Sequence, residues 1–219
     1  MKIIACGDAH LDSIVGGYDK HDDIKRALDF VVDLARGKDL LVFLGDMFDS
    51  KKPSPRAYAT MFEALELVSC PVVMLEGNHD NGAYLPFEKI KFEFGVKIIK
   101  EPIFFDMEGN KIGFINYVRD NNEEKAQEQV DNFFDEANRG AKIVFSHLGV
   151  IGAAMSSGST MIDGEVHIPK EVVQKASYRV INGHIHKAQT KGSVEISGSI
   201  VRVDFGEKDD EKHVLILEV

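Results

Sequence analysis

The sequence predicts a mixed α/β fold with two sheets, the first parallel and the second partly antiparallel. Short apolar runs alternate with segments of helical period through the first half, and a tight hairpin signal and further short apolar runs fill the second. The chain has 219 residues, 44% hydrophobic and 28% charged, so residues 1–219 are expected to form one globular domain. That length supports a core without disulfide or metal staples.

Residues 2–6 (KIIAC) read as a buried strand. Over 22–36, Ile24, Ala27, Leu28, Val31, Val32 and Ala35 share one helical face, with Asp22 and Asp23 in the first turn, where the helix dipole favours acid. Residues 40–44 (LLVFL) are a second strand. Ser54-Pro55 supplies a cap and first turn for a helix that aligns Tyr58, Met61, Phe62, Leu65 and Val68. Residues 71–75 (PVVML) are a third strand, and this strand–helix alternation implies βαβ units in a parallel sheet. Residues 103–107 and 111–115 flank Gly109-Asn110 as a hairpin, and 124–138 place Ala126, Val130, Phe133, Phe134 and Ala137 on one helical face. Strands follow at 142–146 and 178–182. The stretch 152–164 reads as a surface loop, and 188–219 as a meander of short strands.

Composition narrows the function classes. With 26 Lys+Arg against 36 Asp+Glu the formal charge is −10, which argues against a broad basic surface for wrapping duplex DNA or an anionic membrane. No apolar run approaches the ~18–20 residues of a membrane span, and Asp8 interrupts the N-terminus too early for a signal peptide. Cys6 and Cys70 fall at opposite ends of neighbouring strands and are expected to be reduced thiols. The expected location is the cytoplasm.

The residues that follow the strands carry the chemistry. KIIACG is followed by Asp8 and His10, and LLVFLG by Asp46 and Asp49. PVVMLEG is followed by Asn78, His79 and Asp80, AKIVFS by His147, and YRVING by His184 and His186. Ligands of open α/β sheets bind outside the carboxyl ends of strands, so these side chains converge on one rim. Glycines before the ligands let the backbone turn and remove bulk from that rim. Asp8, His10, Asp46, Asn78, His147, His184 and His186 make seven oxygen and nitrogen donors with no thiolate, too many for one tetrahedral zinc. They suit two divalent ions sharing a carboxylate: Mn²⁺ first, with Fe²⁺, Zn²⁺ or Mg²⁺ as alternatives. Two such ions ~3.5–4 Å apart clamp a phosphate and lower the pKa of a bridging water. His21, His167 and His213 lie outside these motifs and are assigned no metal.

Together the blocks Asp8-Ala-His10, Gly45-Asp46-Met-Phe-Asp49, Gly77-Asn78-His79-Asp80, Ser146-His147 and Gly183-His184-Ile-His186 resemble the calcineurin-like metallophosphoesterase superfamily. The resemblance implies a four-layer α/β/β/α sandwich. It implies one metal held by Asp8, His10, Asp46 and His186, a second held by Asp46, Asn78, His147 and His184, and Asp46 as the bridge. His79 would be the general acid, with Asp80 orienting it. The stretches 45–54, 178–187 and 198–212 are similar to SbcD-type DNA repair nucleases, whereas the protein phosphatase signature is absent because Ser50-Lys51 follows Asp49. Some relatives carry a histidine where Asp49 stands, linked to exonuclease action, so Asp49 leaves directionality open.

The resemblance therefore implies a two-metal phosphodiesterase acting on DNA through a metal-bridging hydroxide and a histidine acid. The same chemistry on small nucleotides is the alternative, and a non-catalytic scaffold is the third. An SbcC-type ATPase is the implied partner, although the residues after the catalytic motifs leave no room for its docking helices or for a DNA-binding cap. Lys51, Lys52, Arg56 and Lys187 follow the motifs and form a candidate positive rim.

Overall fold

The computed structural model describes residues 1–161 and 165–219. In chain order its elements are strands β1 (Lys2–Cys6), β2 (Ile14–Val15) and β3 (Tyr18–Asp19), helix α1 (His21–Leu34), β4 (Leu40–Phe43), α2 (Pro55–Leu67), β5 (Val72–Leu75), α3 (Leu85–Glu88) and β6 (Val96–Ile99). They continue with β7 (Ile103–Met107), β8 (Asn110–Ile115), α4 (Glu123–Ala137), β9 (Ala141–Ser146), α5 (Lys170–Gln174), β10 (Arg179–Asn182), β11 (Gln189–Lys191), β12 (Val194–Ile196), a 3₁₀ turn at Phe205–Glu207 and β13 (Leu215–Glu218).

Capping chemistry fixes the long helices. Ser54 accepts from Ala57 N–H at 3.1 Å with Pro55 behind it, and Asn122 accepts from Lys125 N–H at 3.2 Å. Helix α1 has no side-chain cap on its Lys20 N-cap; Asp19 instead accepts from the first helical N–H, that of His21, at 2.8 Å.

Two large sheets form. The first has the order β13-β1-β4-β5-β6 and the second β11-β12-β10-β9-β8-β7. Strands β1, β4 and β5 run parallel, as the alternating pattern predicts, and β6, which the pattern does not mark, joins them as a fourth parallel strand. The centre of the second sheet is also parallel, with β8, β9, β10 and β12 aligned and antiparallel partners only at the edges, β7 and β11. The predicted meander over 188–219 is therefore replaced by a split. The β11–β12 hairpin closes the second sheet, and β13 crosses to pair antiparallel with β1.

Side-chain alternation along these strands produces the layers. Ile4, Cys6, Leu41, Phe43, Val72 and Met74 face α1 and α2. Their neighbours Ile3, Ala5, Leu40, Val42, Val73 and Leu75 face the second sheet, meeting Ile112, Phe114, Ile143, Phe145 and Ile181. Val144, Val180 and Ile196 point the other way, onto Val130, Phe133 and Phe134 of α4. Three apolar interfaces separate four layers, α/β/β/α. Each large side chain so buried contributes about 1.5–3 kcal/mol, and Phe114 and Phe145, partners on adjacent strands of the second sheet, stack at 5.4 Å on its inner face. Cys6 and Cys70 are both buried and free. Of the predicted loop, residues 152–161 pack as a turn, with Met155 N–H on the Ser159 carbonyl and Val150 N–H on Met161 sulfur; 162–164 lie outside the described residues. Among the described residues no helix is long and apolar enough to cross a membrane.

Candidate metal centre

The carboxyl ends of β1, β4 and β5 in one sheet and of β9 and β10 in the other open on the same edge of the sandwich. Ser199 and Ile200 cross between the sheets there, with Ile200 N–H on the Gly7 carbonyl. The turns that leave these strands are tight. Asp8, His10, Asp46 and His184 all adopt left-handed backbone conformations, with φ of 55°, 51°, 49° and 70°. Such residues cost energy and persist where surrounding contacts fix them, most often at functional sites.

Close packing explains two of the motif glycines. A Cβ on Gly77 would lie 2.0 Å from Asp46 Oδ1, and one on Gly45 would lie 2.3 Å from His147 Nδ1. Their absence lets the carboxylate and the ring reach the rim.

Three groups of donors lie close enough to hold a cation: Asp8, His10 and His186; His10, Asp46 and His79; and Asp46, His147 and His184. Asp46 belongs to two of them. Asn78 Oδ1 joins the last, 3.1 Å from His147 Nε2 and 2.9 Å from His184 Nδ1, with Asp46 Oδ2 3.3 Å from His147 Nε2. On the other side His10 Nε2 and His186 Nε2 are 3.1 Å apart. A cation ~2.1 Å from two adjacent octahedral ligands separates those ligands by about 3.0 Å, so these spacings fit a divalent ion.

The far nitrogens of the rings fit as well. His10 Nδ1 meets Asp49 Oδ1 at 3.2 Å, and His147 Nδ1 meets the Leu44 carbonyl at 2.6 Å. His184 Nε2 meets Glu165 Oε1 at 3.0 Å, and His186 Nδ1 meets Glu207 Oε1 at 2.9 Å. Each ring thus turns one nitrogen into the cluster and sets the other against an oxygen acceptor, the arrangement that fixes the tautomer of a metal-ligating histidine.

The field of the site calls for positive charge. Burial favours a neutral His147 ring, but the Asp46 carboxylate beside it prevails and raises its pKa to about 9. His10 rises too: burial is outweighed by its bond to Asp49 and by the charges of Asp46 and Asp8. Asp46 is held below the usual carboxylate range, since His147, His10 and the His79 N–H outweigh its burial. Ring protons or metal ions can supply the charge that these acids demand.

Among the described residues, Asp49 and Asp80 lie outside the seven-donor set but brace it. The motif pattern assigns Asp80 to orienting His79. Its carboxylate is instead fully buried and accepts from Gly77 N–H (2.8 Å), Met47 N–H (2.8 Å), Phe48 N–H (3.3 Å) and the Tyr84 hydroxyl, tying the Asp46 turn to the Asn78 turn. Burial and the nearby Asp46 charge raise the Asp80 pKa to about 6. His79 is exposed at the rim, its Nδ1 3.2 Å from the Asp49 carbonyl and its ring edge-on to His10. His21 bonds Thr60 Oγ1 within the fold, His167 bonds the Glu165 carbonyl, and His213 is exposed, all apart from the cluster.

Sequence reasoning assigned no role to Glu165 or Glu207. Glu207 is fully buried, and its Oε2 accepts from Lys212 Nζ (2.6 Å), Ser199 Oγ (3.0 Å) and Val203 N–H (3.2 Å). Burial would raise its pKa, but His186 and Lys212 pull it down to about 2. The similarity over 198–212 marks the stretch without distinguishing this residue. Of the candidate positive rim, Arg56 is neutralised by Asp19 and Asp22, while Lys51 and Lys52 are exposed.

Proteins of Staphylococcus epidermidis and Staphylococcus saprophyticus, both named as the SbcD component of the SbcCD nuclease, are 26% and 25% identical over the whole of this chain. The chain spans 66% of the length of each. A protein of unknown function from Aquifex aeolicus, with a known crystal structure, aligns over 95% of this chain and 92% of its own at 12% identity and a TM-score of 0.43. The calcineurin-like phosphoesterase family model matches residues 1–188, a span that takes in every motif residue from Asp8 to His186, and the chain belongs to that family.

Proposed function

We propose that this protein is a binuclear-metal phosphodiesterase and that its substrate is DNA. The observation that carries the reading is the pairing at all four cluster histidines of one inward nitrogen with one oxygen-anchored nitrogen. Two divalent ions bound there would supply positive charge for a phosphate and acidify a water nucleophile. Asp8, His10, Asp46 and His186 would hold one ion, and Asp46, Asn78, His147 and His184 the other.

The chain's own residues do the rest. Asp46 sits between the two groups, its Oδ1 accepting from His79 N–H at 2.8 Å, which locks its orientation. His79 has its Nδ1 proton directed to the Asp49 carbonyl, so in the doubly protonated ring Nε2 would give its proton to the departing alkoxide and leave the neutral Nδ1–H ring behind. Its exposure at the rim supports that role, because a leaving group would be met from the solvent side. Asp49 holds the His10 ring while its backbone carbonyl holds His79, coupling a ligand to the acid.

DNA as the substrate rests on the names of the two staphylococcal relatives, and an SbcC-type partner rests on the same ground. One observation favours a second reading. The groove beside Asn78 measures about 680 Å³ and carries Asp120 and Glu123 on its wall, which suits a small phosphodiester better than a long polyanion. A hydrolysis panel with added Mn²⁺ and a chelator control tests both. Metal-dependent cleavage of single-stranded DNA above dinucleotides supports the nuclease, the reverse order supports the small substrate, and no hydrolysis of any diester overturns both.

A further inference from the structure

We propose that Arg119 is a substrate-binding residue that grips a non-bridging oxygen of the phosphoryl group at the metal centre; this rests on the phosphodiesterase reading above. Arg119 follows β8 and stands exposed in the groove that begins at Asn78 and Glu165. Its guanidinium donates through Nη2 to the main-chain carbonyl of Asn78 and lies over the Tyr117 ring, 5.4 Å from the centroid. Asn78 is also the residue whose side-chain oxygen meets His147 and His184. The cation is therefore placed one residue from the cluster.

What distinguishes Arg119 is that its charge is not spent. Among the described residues Arg26, Arg36, Arg56, Arg139 and Arg179 each pair with a carboxylate. Arg202 gives its donors to the Glu207 and Asp210 carbonyls, away from the groove. Arg119 makes no ion pair: its direct contacts are a neutral carbonyl and a ring face, and its charge reaches the Glu76 carboxylate only at longer range. A guanidinium carries five N–H donors in a planar fork, and those not directed at Asn78 remain available toward the groove. Fork geometry matches two oxygens of one phosphate.

Reach and charge select the ligand. A phosphate that touches a cation through one oxygen presents another oxygen to a donor on the order of 7 Å from that cation, allowing ~2.1 Å for the metal–oxygen bond and ~2.8 Å for the hydrogen bond. The Asn78 side chain and its own carbonyl are one residue's breadth apart, on the order of 5 Å, so a donor bonded to that carbonyl lies within such a reach. Nearby acids restrict the subsite to one phosphate. Glu165 is engaged by His184 and Tyr117, and Asp120 accepts from Asn122 N–H at 2.9 Å, but Asp120 and Glu123 still repel a second phosphate further along. Tyr117 acts here as a positioning residue, with its hydroxyl on Glu165 and its ring under the guanidinium.

The test compares wild type, Arg119→Met and Arg119→Lys in three measurements: steady-state hydrolysis of an aryl phosphodiester, calorimetric binding of inorganic phosphate, and bound metal per chain. Losing a charge-assisted hydrogen bond costs about 10- to 100-fold, so Arg119→Met should raise KM and weaken phosphate binding by that factor with metal content unchanged. Arg119→Lys, which keeps the charge but not the fork, should fall between. Unchanged KM and phosphate affinity in Arg119→Met would overturn the proposal. So would metal loss in both variants, because Arg119 would then act by bracing Asn78. A wild type that binds metal and phosphate but hydrolyses no diester sinks the functional reading and leaves the phosphate subsite standing.

Discussion

Replacing Gly77 by alanine isolates the position of Asp46 from its chemistry. The new Cβ would stand 2.0 Å from Asp46 Oδ1 and 2.6 Å from its main-chain nitrogen, and contacts under 3.0 Å are essentially never made by Cβ atoms. Rotating the carboxylate away clears the first clash but not the second, so the Asp46 turn itself must retreat by roughly 1 Å. That turn is held by Asp80 through Met47 and Phe48 N–H, and Asp80 also holds Gly77 N–H, so both turns strain together. Overpacking of this kind costs about 1–3 kcal/mol, a fall in Tm of a few to about ten degrees in a chain of this size. A 1 Å misplacement at the reacting centre costs about 10²-fold. Hydrolysis of an aryl phosphodiester should therefore fall on that order while the protein still folds, and the metal affinity of the Asp46 cluster should weaken with it. Gly37→Ala is the control: φ is +69° and nothing lies within 4 Å, so it should lose about 1 kcal/mol of stability and no activity. Wild-type kcat and metal affinity in Gly77→Ala would refute the reasoning.

Other expectations are as specific. His79→Ala should reduce kcat by about 10²–10⁴-fold with metal content intact, checked by kinetics beside metal analysis; a turnover equal to wild type removes it from the acid role. Divalent metal at about 100 times its Kd should stabilise the chelator-treated protein by about 2.7 kcal/mol, visible as a rise in Tm of several degrees, and no shift would count against a binding site. In metal-free protein the Glu207 carboxyl lies below its unfolded value, at about 2 against the ordinary 4.5, so its stabilisation is present above pH 4.5 and is lost as pH falls toward 2. Glu207→Gln should therefore lose on the order of 3 kcal/mol above pH 4.5 and show a flatter acid limb in a pH series of melts, a parallel limb being the refuting result. Cleavage of a short oligonucleotide should change little between 50 and 200 mM salt, whereas a backbone-gripping protein loses about 10³–10⁵ in affinity over that range.

The parts of the site legible in the sequence are those where residue type, spacing and strand end coincide. Asp8, Asp46, Asn78, His147 and His184 each come within two or three residues of a short apolar strand, so a pattern along the chain finds them. The same pattern misjudges Asp80, because adjacency to His79 in sequence is not adjacency in space; the turn sends the carboxylate inward to Tyr84 and the Met47 N–H. Glu165 and Glu207 had no local signal at all. Their histidines are 19 and 21 residues away, and a lone glutamate in a polar stretch reads as solvated surface. For the fold, βαβ alternation made the first sheet legible except β6, whose four residues sit after a glycine turn without a preceding long helix. The sequence reads β13 as part of a meander because its antiparallel partner, β1, is at the other end of the chain.

The acid excess takes on a different meaning once its location is known. A net charge of −10 opposes polyanion binding only if it is spread where the polyanion must lie. Asp8, Asp46 and Asp80 are instead buried at the site, Glu207 is buried behind it, and Asp49 stands half-buried beside His10. Asp46 and Asp8, with Asp49 at His10, are what raise His10 and His147, and divalent ions would reverse the sign of the field at the rim. On the proposed reading, attraction for phosphate would then switch with metal occupancy and act at short range, with no basic surface needed to hold the substrate. Asp120 and Glu123 oppose any extension of that attraction along the groove, and the unspent charge of Arg119 stands at the point where the two influences meet.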